Sequence, residues 1–138
     1  MKTDKKYIFE LPMKVRDYEV DSEGIVNNAN YLHYMEHTRH EFCYSAGMSF
    51  RQMHEQGIDP VLRKVEIEYI TPLGLGDEMV SKLNIAREGA RFVFYQDIYN
   101  AKDQLVAKAV VTCVCIENGR LTRGEVLAKA FEDYLNRQ

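Results

Sequence analysis

From Ala29 to Ala46 the chain keeps a helical period. Tyr31, Tyr34, Met35, Thr38, Phe42 and Ala46 recur every third or fourth residue, and Gly47 follows where a helix end favours a left-handed backbone. Eighteen residues at ~1.5 Å each give a rod of roughly 27 Å, enough to cross several strands spaced ~4.8 Å apart. The other helical stretch, Glu125 to Leu135, is shorter and reads as a terminal amphipathic helix. One long helix must therefore serve whatever sheet the rest of the chain builds.

That rest is strand-like. Tyr7 to Tyr18 suits a strand interrupted by Pro12, which places it at an edge or bulge. Beyond Pro60, "VLRKVEIEYI" alternates, with Val61, Val65, Ile67 and Tyr69 expected on one side and Lys64, Glu66 and Glu68 on the other. After the turn "PLGLGD" come "EMVSKLNIARE", "ARFVFYQDIYN" and "QLVAKAVVTCVCIE", separated by connections short enough for antiparallel hairpins. The order predicts an α+β fold: an antiparallel sheet of about five strands with the long helix across its concave face. Such a sheet leaves edge backbone unpaired, and a second copy continuing it would satisfy that edge, so a homodimer at least is expected.

At 138 residues a single domain spanning 1–138 is the expectation. The formal net charge of −3, with no long run of Lys and Arg, argues against a nucleic-acid partner. The charged amino-terminal segment is not a signal peptide and no stretch approaches the ~20 apolar residues of a membrane span, so a soluble cytoplasmic protein without membrane insertion is predicted. Cys43, Cys113 and Cys115 are odd in number, and a C-x-C pair on one strand is badly placed for a disulfide, so buried free thiols are expected.

The segment leading into the long helix carries the chemistry. In "DSEGIVNNANYLHYMEHTRHEF", residues 21–42, a carboxylate, a glycine and two asparagines stand immediately before the helix. Read alone, Asn27 or Asn28 is a helix N-cap and Asp21 a loop acid. The stretch "YEVDSEGIVNNANYLHYMEHTR" resembles the 4-hydroxybenzoyl-CoA thioesterase family of hotdog-fold acyl-CoA hydrolases, which includes bacterial enzymes associated with the Tol–Pal operon. The family's pattern falls on Asp21, Gly24, Ile25, Val26, Asn28, Tyr31, Tyr34 and Glu36. "YITPLGLGDEM" also looks like the family's second strand and its turn, so the similarity spans most of the chain.

The resemblance implies an acyl-CoA thioesterase, a hydrolase releasing CoA and a carboxylic acid. Asp21 would attack the thioester carbonyl or deprotonate a water. A carboxylate is ionised at neutral pH without an activating partner, so no Ser-His-Asp set is required. The donor to the oxyanion would be the backbone N–H of Asn28, in a helix first turn whose amides lack internal acceptors, with Gly24 letting the loop turn back. The resemblance also puts the site at a dimer interface. Tyr31, on the apolar face, is expected in the core, with a place at the border of the acyl pocket as the alternative; Glu36 takes either a structural or an acyl-pocket role. Arg63, Lys64, Lys82, Arg87 and Arg91 are candidates for the CoA phosphates, Arg87 and Arg91 the favoured pair. No cofactor is expected, CoA being part of the substrate, and no metal.

Two other chemistries are open. His33, His37 and His40 share one helix face at spacings of four and three, which suggests either a metal site or a solvated polar face; no H-E-x-x-H pattern is present, and the solvated face is expected. A non-catalytic protein of the same fold, binding acyl-CoA or an acyl carrier protein, is the alternative function. The acyl group is not legible, because its pocket draws on two subunits and any of Phe42, Met48, Phe50, Tyr69 or Phe94 could line it. Dimer and tetramer are equally compatible with the sequence.

Overall fold

The computed structural model describes residues 7–135, so the charged segment 1–6 lies outside it. Its main elements are β1 (Phe9–Lys14), α1 (Asn28–Ser45), α2 (Phe50–Glu55), β2 (Ile58–Tyr69), β3 (Glu78–Glu88), β4 (Arg91–Asn100), β5 (Leu105–Glu117), β6 (Arg120–Thr122), α3 (Glu125–Ala130) and α4 (Glu132–Leu135). The strands form one antiparallel sheet in the order β1-β3-β4-β5-β2, with the short β6 added to β5. The sheet is therefore an α+β partner for one long helix, as its sequence order requires.

The helix ends are fixed by local chemistry. The Asn27 side chain accepts from the Ala29 N–H at 3.0 Å, and at the other end Gly47, at φ +83°, donates to Tyr44 O while Met48 donates to Cys43 O. Those two bonds, 5→2 and 6→1, are a Schellman motif, and the positive φ explains the glycine. Tyr31, Tyr34, Met35, Thr38, Phe42 and Cys43 form the buried stripe. Thr38 and two sheet residues, Ser81 and Gln96, are fully buried and paired: Thr38 Oγ1 lies 2.7 Å from Ser81 Oγ, and Gln96 Nε2 donates to Met35 O at 3.0 Å. Buried polar groups satisfied in this way fix the rotation of the helix on the sheet.

Several boundaries differ from the sequence expectation. The first strand stops at Lys14, and Asp17–Glu19 forms a 3₁₀ turn because the Glu19 carboxylate accepts from the Arg16 N–H at 2.8 Å. Pro12 does lie on an edge strand, β1 pairing among the described residues only with β3. β2 starts at Ile58, before Pro60, and its pairing with β5 slips between Leu62 and Lys64, leaving Arg63 without an opposite number. This bulge reverses which residues face inward. Val65 and Ile67 pack on the core beyond it, while before it Pro60 and Leu62 border a cavity, and Val61, expected inside, is exposed, as is Leu62. The terminal helix breaks at Phe131 into α3 and α4, and α2 has no counterpart in the sequence reading.

Candidate active site

The loop ahead of α1 is held residue by residue. Asp21 N–H donates to Ile25 O at 2.9 Å and Gly24 N–H to Asp21 O at 3.0 Å, closing a turn in which Gly24 sits at φ +82°. A side chain would find open space at Gly24, so the backbone conformation alone asks for glycine there. Val26 N–H then donates to Leu73 O at 2.9 Å and Asn27 N–H to Glu19 O at 3.1 Å. The next amide, that of Asn28, has no acceptor among the described residues. It is the first residue of α1, where the helix supplies no internal partner and the dipole adds partial positive charge.

Glu19 anchors this arrangement, and the sequence reading did not single it out. Its carboxylate, 5% exposed, accepts from Arg16 Nε and Nη2 at 3.0 and 2.7 Å and from the Tyr34 hydroxyl at 2.8 Å. Its carbonyl accepts from Asn30 Nδ2 at 2.9 Å. Burial works to raise the carboxyl's pKa, but the hydrogen bonds from Arg16 and Tyr34 outweigh it and hold the group below its ordinary value. The recoverable signal was the Arg16-x-x-Glu19 spacing just before the motif.

Beside Asn28 opens a groove of about 160 Å³, walled by Ile25, Val26, Tyr31, Tyr69, Thr71 and Pro72. The Tyr31 and Tyr69 rings meet edge to face at 5.5 Å, and the Tyr31 hydroxyl accepts from the Leu73 N–H at 3.1 Å. Tyr31 thus serves both the core and the groove wall. Asp21 stands outside these walls, on the exposed turn; Glu23 N–H donates to its Oδ1 at 2.8 Å, and its Oδ2 has no donor among the described residues. One carboxylate oxygen is oriented and the other open for reaction.

Glu36 lies elsewhere, two turns along α1, on a second cavity of about 120 Å³ bordered also by Arg39, His40, Cys43, Leu62, Phe92 and Phe131. Burial pushes the Cys43 thiol up to about 12 and raises that of Cys113, another wall residue, so both behave as apolar surface; all three cysteines are free. His33 and His37 are exposed, but His40 departs from the expected solvated face: it is half-buried against the Phe50 ring at 4.8 Å, and burial lowers its pKa.

Arg87 and Arg91 flank the β3–β4 turn. Arg87 donates to Gly89 O, Arg123 O and Glu125, tying that turn to the start of α3, while Arg91 is exposed. Sheet register sets Arg91 opposite Val114, and Val114 opposite Val61. Tyr69, next to Asn28, is eight residues further along β2, about 25 Å away at ~3.3 Å per residue. Within one chain neither arginine joins Asp21 and Asn28. Asp21, Gly24, Asn28 and Tyr31 share the head of α1; Glu36 and the two arginines do not.

Residues 15–133 match the family described as the thioesterase-like superfamily. Among similar proteins, the Arabidopsis thaliana chloroplastic acyl-acyl carrier protein thioesterase ATL3 is 36% identical over 62% of this chain and 45% of its own length. The chain spans about half the length of this and a second such plant relative. The Escherichia coli acyl-CoA thioester hydrolase YbgC is 30% identical over 80% of this chain and 83% of its own. A crystal structure of a protein from Aquifex aeolicus superposes with a TM-score of 0.82 at 30% identity, covering 88% of this chain and 98% of that one. With the long helix lying in a sheet that wraps it, the chain belongs to the thioesterase-like superfamily and has its hotdog fold.

Proposed function

We propose that the protein is an acyl-CoA thioester hydrolase of the 4-hydroxybenzoyl-CoA thioesterase type, working from the head of α1. The observation that carries this reading is the Asn28 amide, which has no acceptor among the described residues and opens the helix seven residues after Asp21. As water adds, the C–S bond breaks, CoA leaves as the thiol and the acyl group leaves as a carboxylic acid. The negative charge that develops on the thioester oxygen is met by the Asn28 N–H, a preorganised donor needing no reorganisation. Asp21 supplies the open Oδ2, either as nucleophile toward the acyl carbon or as base toward a water. The E. coli relative's name supports CoA as carrier.

A homodimer completes the site. β2 is a 12-residue edge strand whose outer side has no partner among the described residues, and Leu62 and Tyr69 along it and Ile70 just beyond are 50, 44 and 47% exposed. Antiparallel pairing with a second β2 would satisfy that edge and cover those side chains. It would also lay residues of the partner against the groove beside Asn28, enclosing Asp21. Arg91, exposed and remote within its own chain, could then meet the CoA phosphates only across such an interface.

One observation favours a protein that only binds acyl-CoA: Asp21 is outside the groove walls of a single chain. Thiol release separates the two. With a panel of acyl-CoAs and a thiol reagent, the purified protein is expected to turn over at least one substrate, and Asp21→Asn to lower kcat by about 10²–10⁴. Tight binding of every acyl-CoA without thiol release would leave the binding protein as the answer.

A further inference from the structure

The second cavity contains a cation that the fold does not neutralise. Arg39, half-buried, borders it; partial desolvation lowers its pKa while Glu36 pulls the other way. An arginine stays protonated even so. Among the described residues no carboxylate lies within ion-pair distance of Arg39, and its one hydrogen bond is from Nη1 to Gln96 Oε1 at 3.0 Å. Gln96 is itself fully buried and fixed by its bond to Met35 O, so Arg39 is held in place. No buried side-chain nitrogen or oxygen among the described residues lacks a partner, so the remaining guanidinium N–H groups reach open space. The space that Arg39 borders is this cavity. Around it stand Phe92, Phe94, Phe131 and Leu127, and two thiols that remain neutral.

A fixed cation with spare, accessible donors beside an aromatic wall offers an entering acyl group both an apolar surface and a partner for a terminal acceptor. We propose that Arg39 determines acyl specificity, receiving the far end of an acyl group of about six carbons in all that ends in a carboxylate. The volume sets the size: about 120 Å³ is slightly less than the engineered 150 Å³ cavity that holds benzene. A carboxylate matches the guanidinium fork, which a hydrocarbon end would leave desolvated and unpaired.

The proposal rests on the thioesterase reading and on its dimer. Glu36 and Cys43, which bound the cavity along α1, are 8 and 15 residues beyond Asn28, about 12 and 22 Å away. A six-carbon acyl group held at Asn28 does not span that distance toward its own chain's Arg39. Antiparallel pairing of two β2 strands brings Tyr69, beside Asn28, toward the Pro60 and Leu62 end of the partner strand, which walls the partner's cavity. The acyl group of a thioester at one helix head therefore points at the Arg39 of the other subunit.

The test separates recognition from turnover. Calorimetry on Asp21→Asn protein gives Kd for adipoyl-CoA and hexanoyl-CoA, two six-carbon groups ending in a carboxylate and a methyl; the same pair is measured with Arg39→Met added. Adipoyl-CoA is expected to bind more tightly to the first protein, and Arg39→Met to reduce the ratio of the two constants by about 10- to 100-fold. If the double variant does not fold, Arg39→Lys in the same background is expected to lower the ratio by a smaller factor. An unchanged ratio, or tighter binding of hexanoyl-CoA to the first protein, would overturn the proposal. Failure of the wild-type protein to release thiol from any acyl-CoA would remove the hydrolase reading instead, while the binding ratio still judges Arg39.

Discussion

At its head α1 is surrounded by hydrogen bonds: Asn27 caps it, Glu19 ties Arg16 to Tyr34, and the loop from Asp21 to Val26 is stitched to Leu73. At its other end the same helix is held by rings. Phe42 meets Phe9, Phe131 and Tyr134 with centroids 5.8, 5.5 and 4.9 Å apart. The head exposes directional groups to solvent and substrate, and hydrogen bonds give it a fixed geometry without a large apolar core. The far end gives up direction for apolar burial, which supplies most of the stability and an apolar cavity. The proposed function places catalysis at the end where precision is made from polar contacts, and the proposed acyl recognition falls at the end where space is made from packing.

That division is open to attack. Phe42→Ala should cost the most stability, about 3–5 kcal/mol in denaturant unfolding, because four rings lose their common partner and a cavity remains. A loss near 1 kcal/mol would mean that the aromatic end is not the anchor. Glu19→Gln comes next, at about 1–3 kcal/mol, since Arg16 then loses a charged acceptor at a buried site. It also carries a pH signature. The Glu19 carboxyl is held below its ordinary 4.5 in the folded protein, so its stabilisation is fully present above that pH and is lost as pH falls through the lower folded value. Melting temperature measured from pH 6 to pH 3 should therefore fall less steeply in Glu19→Gln than in the unmodified protein. Asn27→Ala should have the smallest effect, about 1 kcal/mol, as an exposed cap does; a larger loss would show that the loop, not only the helix end, depends on it.

The two ends also differed in how well the sequence displayed them. The stripe Tyr31, Tyr34, Met35, Thr38 and Phe42 is periodic, and periodicity reports burial directly, so α1 and its inner face were legible. Asp21, Gly24 and Asn28 were legible through a motif, and the structure supplies the reason Gly24 is there in its positive φ. Glu19 was missed because its burial depends on Tyr34, fifteen residues away, meeting it across the loop. The bulge at Arg63 was hidden for a similar reason: an alternation of side chains continues on paper through a residue that the sheet leaves unpaired, so Val61 was placed inside although it is exposed. His40 read as a member of a solvated helix face, and Arg39 was not singled out. Their environment comes from β2, β4 and α3, none of which is local to them in sequence.

The central claim, that the free amide at the start of α1 stabilises the thioester oxyanion, is tested most directly by Asn28→Pro. Proline is tolerated at the first position of a helix and removes only the N–H, and Asn27 already has the extended backbone, φ −64° and ψ 140°, that a following proline requires. Steady-state thiol release is predicted to show kcat reduced by about 10²–10³ with the melting temperature maintained. A folded Asn28→Pro protein with undiminished kcat would contradict it.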